Sequence, residues 1–252
     1  MKILATSDLH FGSPNSYYLN ELKEICRKES PDVIVISGDV YDYRAINPFV
    51  EFEDFKIPVI FCLGNHEFAY RTVSYTLDFY KNNNTTKNVH CLDVEGFVDI
   101  DNVRFVGNVL WYDGSLSDRP DKNFYLKRID STWLDSTIEC FNPVKRNQEC
   151  IQQIKKSLEN HNGKSVLITH TVPFWKLNQF SYDTPNGIYN IYSGVKDLFH
   201  DNDINVDIAI CGHTHRKVRL EYTNDKKSIQ CYNIGNDYVR YSEKLEYEII
   251  NI

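Results

Sequence analysis

The sequence predicts an α/β fold in a single domain. Three observations carry that reading. Five short runs, 2–7, 33–37, 58–63, 165–169 and 206–210, are almost continuously apolar, as parallel strands covered on both faces are. Patterns of helical period lie between several of them. Each run stops at a residue able to bind a metal or move a proton, and α/β sheets place their sites outside the carboxyl ends of the strands.

The bulk numbers agree. The chain has 252 residues, 42% hydrophobic and 25% charged, enough for one sizeable core. The formal net charge of -7 gives no general attraction to nucleic acid or anionic membrane. No apolar run approaches the roughly 20 residues of a membrane span, so no membrane partner is expected. The first residues meet Asp8 and His10 almost at once and read as a strand, not a signal peptide. Seven cysteines include no Cys-x-x-Cys pair. Free, mostly buried thiols in a reducing, cytoplasmic setting fit that usage. The oligomeric state leaves no mark on the sequence.

In order, the first strand ends before Asp8-Leu9-His10. Residues 17–29 form a helix with Leu19, Leu22 and Ile25 or Cys26 on one face. Pro31 follows, then strand 33–37 ending in Gly38-Asp39. A short helix spans 49–55. Strand 58–63 runs into Gly64-Asn65-His66-Glu67, and 72–81 are helical. Asp101-Asn102 turns a hairpin between 97–100 and 103–107. From 108 to 141 there is little periodicity and many aromatics, which reads as an insertion or lid near the site. Asn142 caps a helix that has Pro143 at its first position and Ile151, Ile154 and Leu158 on its buried face. Strand 165–169 ends in His170, and an aromatic loop fills 171–192. A short helix spans 193–200. Strand 206–210 leads into Cys211-Gly212-His213-Thr214-His215. The stretches 217–222, 229–234 and 245–252 read as short strands of an antiparallel sheet.

The chemistry sits at the strand ends. Asp8/His10, Asp39, Asn65/His66, His170 and His213/His215 offer carboxylate, imidazole and one amide oxygen, with no thiolate. That donor set suits manganese, iron or zinc and argues against a structural cysteine-type zinc site. One Asp-x-His or one Gly-His-x-His alone is more often an accident or a turn; five in order at five strand ends are not. Cys211 reads as a small buried hydrophobe beside the site. His90, His161 and His200 fall outside the motifs and read as surface or loop residues.

Asp-x-His, Gly-Asp, Gly-Asn-His-Glu, a lone His after a strand and Gly-His-x-His, in that order from Asp8 to His215, resemble the calcineurin-like metallophosphoesterase superfamily. The resemblance implies two facing mixed β-sheets flanked by helices. It implies two divalent metal ions, manganese first, with iron, zinc or nickel as alternatives. Asp8, His10 and His215 would bind one metal, and Asn65, His170 and His213 the other, with Asp39 bridging. His66 would stand beside the scissile phosphate as general acid or charge stabiliser. Asp42, three residues after Asp39, matches a position that orients that histidine; a solvated acid at a helix start is the rival reading. Two metals roughly 3.5–4 Å apart can clamp an in-line displacement and supply a bridging hydroxide at neutral pH.

The expectation is a phosphoric ester hydrolase acting through that hydroxide, on phosphodiesters before phosphomonoesters. The related phosphoprotein phosphatases carry an Arg after Gly-Asp-x-x-Asp and another just before Gly-Asn-His-Glu. Tyr43 and Leu63 occupy those positions here, with Arg44 and Arg71 near enough in sequence to substitute. The aromatics of 108–133 and 174–192 could pack as core or lid, or support a nucleotide or nucleic-acid substrate by stacking. A nuclease resembling the DNA double-strand-break repair enzymes is the first alternative, against which stand the acidic charge and the short stretch after His215. A phosphomonoesterase is the second. A non-catalytic scaffold, like the retromer subunit of this fold, is the least favoured, because no ligand of the pattern is missing.

Overall fold

The computed structural model describes residues 1–11, 18–41, 47–178, 187–224, 228–236 and 244–252. The strands are β1 (Lys2–Thr6), β2 (Val33–Ser37), β3 (Val59–Cys62), β4 (Val89–Cys91), β5 (Phe97–Ile100), β6 (Val103–Asn108), β7 (Lys164–Thr169), β8 (Ile208–Cys211), β9 (Lys217–Thr223), β10 (Ser228–Ile234) and β11 (Glu248–Asn251). The helices are α1 (Tyr18–Glu29), α2 (Pro48–Phe52), α3 (Asn65–Phe68), α4 (Val73–Asn83), α5 (Leu92–Glu95), α6 (Lys122–Lys127), α7 (Pro143–Leu158) and α8 (Leu198–Asp201). None is long and apolar enough to cross a membrane.

Two mixed sheets result, ordered β11-β1-β2-β3-β4 and β5-β6-β7-β8-β10-β9. In the first, β1 to β4 run parallel and β11 lies antiparallel beside β1. In the second, β6, β7, β8 and β10 run parallel, with β5 and β9 as antiparallel edges.

Alternation along each strand explains the continuous apolar runs. Ile3, Ala5, Val33, Val35 and Ile60 pack with Phe105, Val166, Ile168, Ile208 and Ile210 in the layer between the sheets. Their neighbours Leu4, Ile34, Ile36 and Phe61 pack with Leu22, Ile25 and Phe49 of the helices on one side. Val106, Leu167, Ala209 and Cys211 pack with Ile154, Leu198 and Phe199 on the other. Both faces of the central strands are buried, so both parities must be apolar. The architecture is the expected sandwich of two sheets between helical layers.

Local chemistry sets the helix ends. The Asn142 side chain accepts from Lys145 N–H and Pro143 opens α7, as read from the sequence. Ile154 is buried on this helix, with Ile151 and Leu158 packed at the edge of its cluster. Two expectations are corrected. The helix over 193–200 is confined to Leu198–Asp201, because Val172 and Gly194 form a bridge that keeps the preceding segment extended. The last three strands do not form a separate antiparallel sheet. β10 inserts between β8 and β9, and β11 joins the first sheet. The residue pattern before Phe97 announces neither strand β4 nor helix α5.

The segment 108–141 contributes to the helical-side core. Trp111 and Tyr112 are fully buried there with Leu126 and Ile138, whereas Phe124 is exposed.

Candidate metal centre

Three loops leave β1, β2 and β3, and two leave β7 and β8, at the same ends of the facing sheets. The loops are laced by their backbones. Asp8 N–H donates to Gly38 O at 3.0 Å, His10 N–H to Asp39 O at 3.0 Å, and Gly212 N–H to His170 O at 3.0 Å. Five of the predicted site residues have left-handed backbones, with φ of 54° at Asp8, 45° at His10, 48° at Asp39, 69° at His213 and 50° at His215. Non-glycine residues seldom adopt that region, and such residues cluster at functional sites. Here each one turns a side chain out of its strand's direction and towards a common centre.

The glycines of the motifs make the approach possible. A Cβ on Gly64 would overlap the Asp39 carboxylate and backbone, and a Cβ on Gly38 would overlap the His170 ring.

The side chains converge. Asp39 Oδ2 lies 3.3 Å from His170 Nε2, 3.8 Å from His10 Nε2 and 3.7 Å from His66 Nε2. Asp8 Oδ1 lies 3.8 Å from His215 Nε2. Asn65 Oδ1 is 3.1 Å, and His213 Nδ1 3.2 Å, from His170 Nε2. The trios Asp8/His10/His215, His10/Asp39/His66 and Asp8/Asp39/His170 each place one donor atom per residue within 4.8 Å of the others. All seven predicted ligands and His66 are thus brought together. Asp42 lies outside the described residues. His90 pairs with Glu95, His161 with Lys164 O, and His200 with Asp201; none of the three belongs to the cluster.

Backbone carbonyls choose the tautomers. Ser37 O accepts from His170 Nδ1 at 2.9 Å, and Tyr192 O from His213 Nε2 at 3.1 Å. Asn236 O accepts from His215 Nδ1. In each neutral ring the other nitrogen then keeps its lone pair facing the cluster, the arrangement of metal-ligating histidines.

The electrostatics call for a cation. Asp8 and Asp39 are almost fully buried, and among the described residues their ion-pair partners are all histidines. Burial pushes Asp39 up, but His170, His66 and His10 outweigh it and hold the carboxyl well below its usual range. Burial raises Asp8 more than its histidines lower it. Burial would lower His170, yet Asp39 beside it brings the ring up to about 10. Burial and the adjacent His170 take His213 down to about 3. A metal binding at His170 therefore competes with a proton for the ring nitrogen. The oxygen and imidazole donors, without thiolate, fit a hard or borderline divalent ion.

Three acids that the motifs did not single out as ligands support the cluster: Glu67 and Asp135 are buried and Asp93 is half-buried. Glu67 accepts from Tyr41 N–H at 2.9 Å and Gly64 N–H at 2.6 Å, tying the loop after β2 to the loop after β3. Asp93 accepts from Leu63 N–H at 2.6 Å and Val109 N–H at 2.9 Å, tying the end of β3 to the chain just past β6. Asp135 accepts from Asn65 Nδ2 at 2.8 Å, Tyr112 Oη at 2.8 Å and Trp133 Nε1 at 3.1 Å. Burial raises the Asp135 carboxyl against the pull of those three donors. Only Glu67 stood inside a motif; nothing near Asp93 or Asp135 in the sequence marks them.

Known proteins resemble this chain over most of its length. The profile of the calcineurin-like phosphoesterase family matches residues 1–217. A component of the nuclease SbcCD from Staphylococcus epidermidis is 27% identical over 189 residues, 68% of this chain and 46% of that protein. The chain thus spans less than half the length of that relative. Among solved structures, a phosphopantetheinyl hydrolase from Mycobacterium tuberculosis superposes with a TM-score of 0.67 at 17% identity, covering 95% of this chain and 90% of that one. A dimetal phosphatase from Danio rerio gives 0.50 at 15% identity, covering 94% and 87%. Both are likenesses of fold.

Proposed function

Because this chain belongs to the calcineurin-like phosphoesterase family, we propose that it is a dinuclear-metal phosphoesterase acting on phosphodiesters in preference to phosphomonoesters. The observation that carries the reading is the place of Asp39. Its Oδ2 stands between His10 Nε2 and His170 Nε2, at 3.8 and 3.3 Å. Those two histidines belong to different ligand sets: Asp8, His10 and His215 for one ion, Asn65, His170 and His213 for the other. Asp39 would then be the carboxylate shared by the two ions.

Two divalent cations held there, manganese in the first instance, supply Lewis acidity towards the phosphoryl oxygens and acidify water. The residues do the rest. Asp8 and Asp39 fix the charge of the centre, and the carbonyl-held histidines fix its geometry. His66 presents Nε2 to the cluster, 3.7 Å from Asp39 Oδ2, where it can deliver a proton to the leaving oxygen. A reducing, cytoplasmic setting belongs to the same reading, since all seven cysteines are free.

The diester preference rests on charge. A monoester is nearly dianionic at neutral pH and gains most from cations beyond the metals. The Arg71 guanidinium lies 5.7 Å from the Tyr75 ring. Arg44 is outside the described residues. The likeness to a nuclease component favours a nucleic-acid diester as a second form of the reading. The test compares bis(p-nitrophenyl) phosphate, p-nitrophenyl phosphate and single-stranded DNA with Mn(II), alongside metal content by mass spectrometry. Two metal equivalents and a higher kcat/KM for the diester are expected. A clear monoester preference would reject the diester reading, and cleavage of DNA would select the nuclease form.

A further inference from the structure

Asn65 is the one amide in the donor set, and an amide has two ends. Only its oxygen can bind a cation, so something must fix which end faces the cluster. The Asn65 Nδ2 lies 2.8 Å from Asp135 Oδ1, while its Oδ1 lies 3.1 Å from His170 Nε2. Asp135 is fully buried, and its second oxygen already receives two donors, Tyr112 Oη at 2.8 Å and Trp133 Nε1 at 3.1 Å.

We propose that Asp135 is a positioning residue that holds the Asn65 amide oxygen towards the second metal. The inference rests on the dinuclear reading above. Asp135 Oδ1 meets the amide as an acceptor, so Asn65 donates its NH2 outwards and keeps its oxygen on the metal side. The indole N–H is donor only, so the Asp135 oxygen it meets must remain an acceptor. This pins the carboxylate's own orientation. Partners of this kind behind a ligand are commonly worth 10–100-fold in metal affinity.

The geometry makes a sharp case of Asp135→Asn. The amide oxygen of the new residue must stay with Trp133, which leaves its NH2 against Asn65. Two NH2 groups cannot bond each other, so Asn65 turns over and offers nitrogen to the metal. Exchanging the two residues, Asn65→Asp with Asp135→Asn, restores the match. The NH2 at 135 then donates to a carboxylate at 65, whose other oxygen faces the cluster, and the number of buried carboxylates is unchanged.

The experiment is titration of chelator-treated protein with Mn(II) by calorimetry, with thermal unfolding as a check on folding. Wild type is expected to bind two equivalents; fewer would refute the dinuclear reading itself, not the role of Asp135. Asp135→Asn is expected to bind one equivalent as before and the second about 10–100-fold more weakly. The exchanged pair is expected to recover the second site. Wild-type affinity at both sites in Asp135→Asn overturns the proposal, as does an exchanged pair that folds yet still lacks the second site. If Asp135→Asn does not fold, the exchanged pair alone decides.

Discussion

Asp39 and His66 lie 3.7 Å apart, yet their removal is expected to read out differently. On the proposed reading, Asp39→Asn would leave two cations without their shared anion. Both metal sites should lose affinity, and activity should go with them; full occupancy of both sites in this variant would refute the bridging role. On the same reading, His66→Ala removes a proton donor and no metal ligand. Metal content should be unchanged while kcat falls by roughly 10²–10⁴-fold, the usual share of a general acid. The fall should be smaller for a nitrophenolate leaving group, and an equal fall for all leaving groups would point to charge stabilisation instead. The candidate ligands were legible because metal binding restricts residue type and each one follows a strand. Asp135 was not, because its bond to Asn65 spans 70 residues and the stretch around it carries no period. The left-handed backbones of Asp8, His10 and Asp39 were also hidden, since Asp and His enter positive φ more readily than most residues but still only in a small minority of cases.

Elements were easier to place than their partners. The strands leading into the site were visible as apolar runs because burial on both faces leaves no polar parity. The edge strand β9 alternates between exposed positions and half-buried or buried ones, which reveals a strand but not its neighbour. That is why β10 lying between β8 and β9, and β11 beside β1, could not be read. Where the ends of β3 and β6 meet, Asp93 accepts a backbone N–H from Leu63 and one from Val109. Its burial, set against those donors, raises the carboxyl from 3.8 to about 7. A raised carboxyl means the folded chain keeps a proton that the unfolded chain releases. Stability from this group is therefore full below the unfolded value and lost as pH rises towards the folded one. The slope is at most about 1.4 kcal/mol per pH unit. Urea midpoints of chelator-treated protein should fall more steeply between about pH 5 and about pH 6.5 in wild type than in Asp93→Asn. Parallel lines for the two proteins would show that Asp93 is ionised throughout.

At the scale of the whole molecule, the site belongs to neither sheet. Asp8, Asp39 and Asn65 follow strands of the first, and His170, His213 and His215 follow strands of the second. The two-sheet arrangement followed from the family pattern, not from strand periodicity, which does not say how many sheets there are. The closing contacts also join distant parts of the chain. The His213 N–H bonded to Asp8 bridges 205 residues, and β1 pairs with β11 in the register Lys2↔Asn251. Contacts of such separation close late, after the loop entropy has been met. A folding transition state that lacks the site has nothing for Mn(II) to grip. The ion should then leave the refolding rate unchanged and act wholly on unfolding, slowing it about 100-fold for each site held at 100 times its dissociation constant. Stopped-flow traces in urea, with and without Mn(II), separate the two limbs, and faster refolding with Mn(II) would mean that the centre forms early. On this reading the cations set how long a finished molecule lasts and have no part in how quickly it is made.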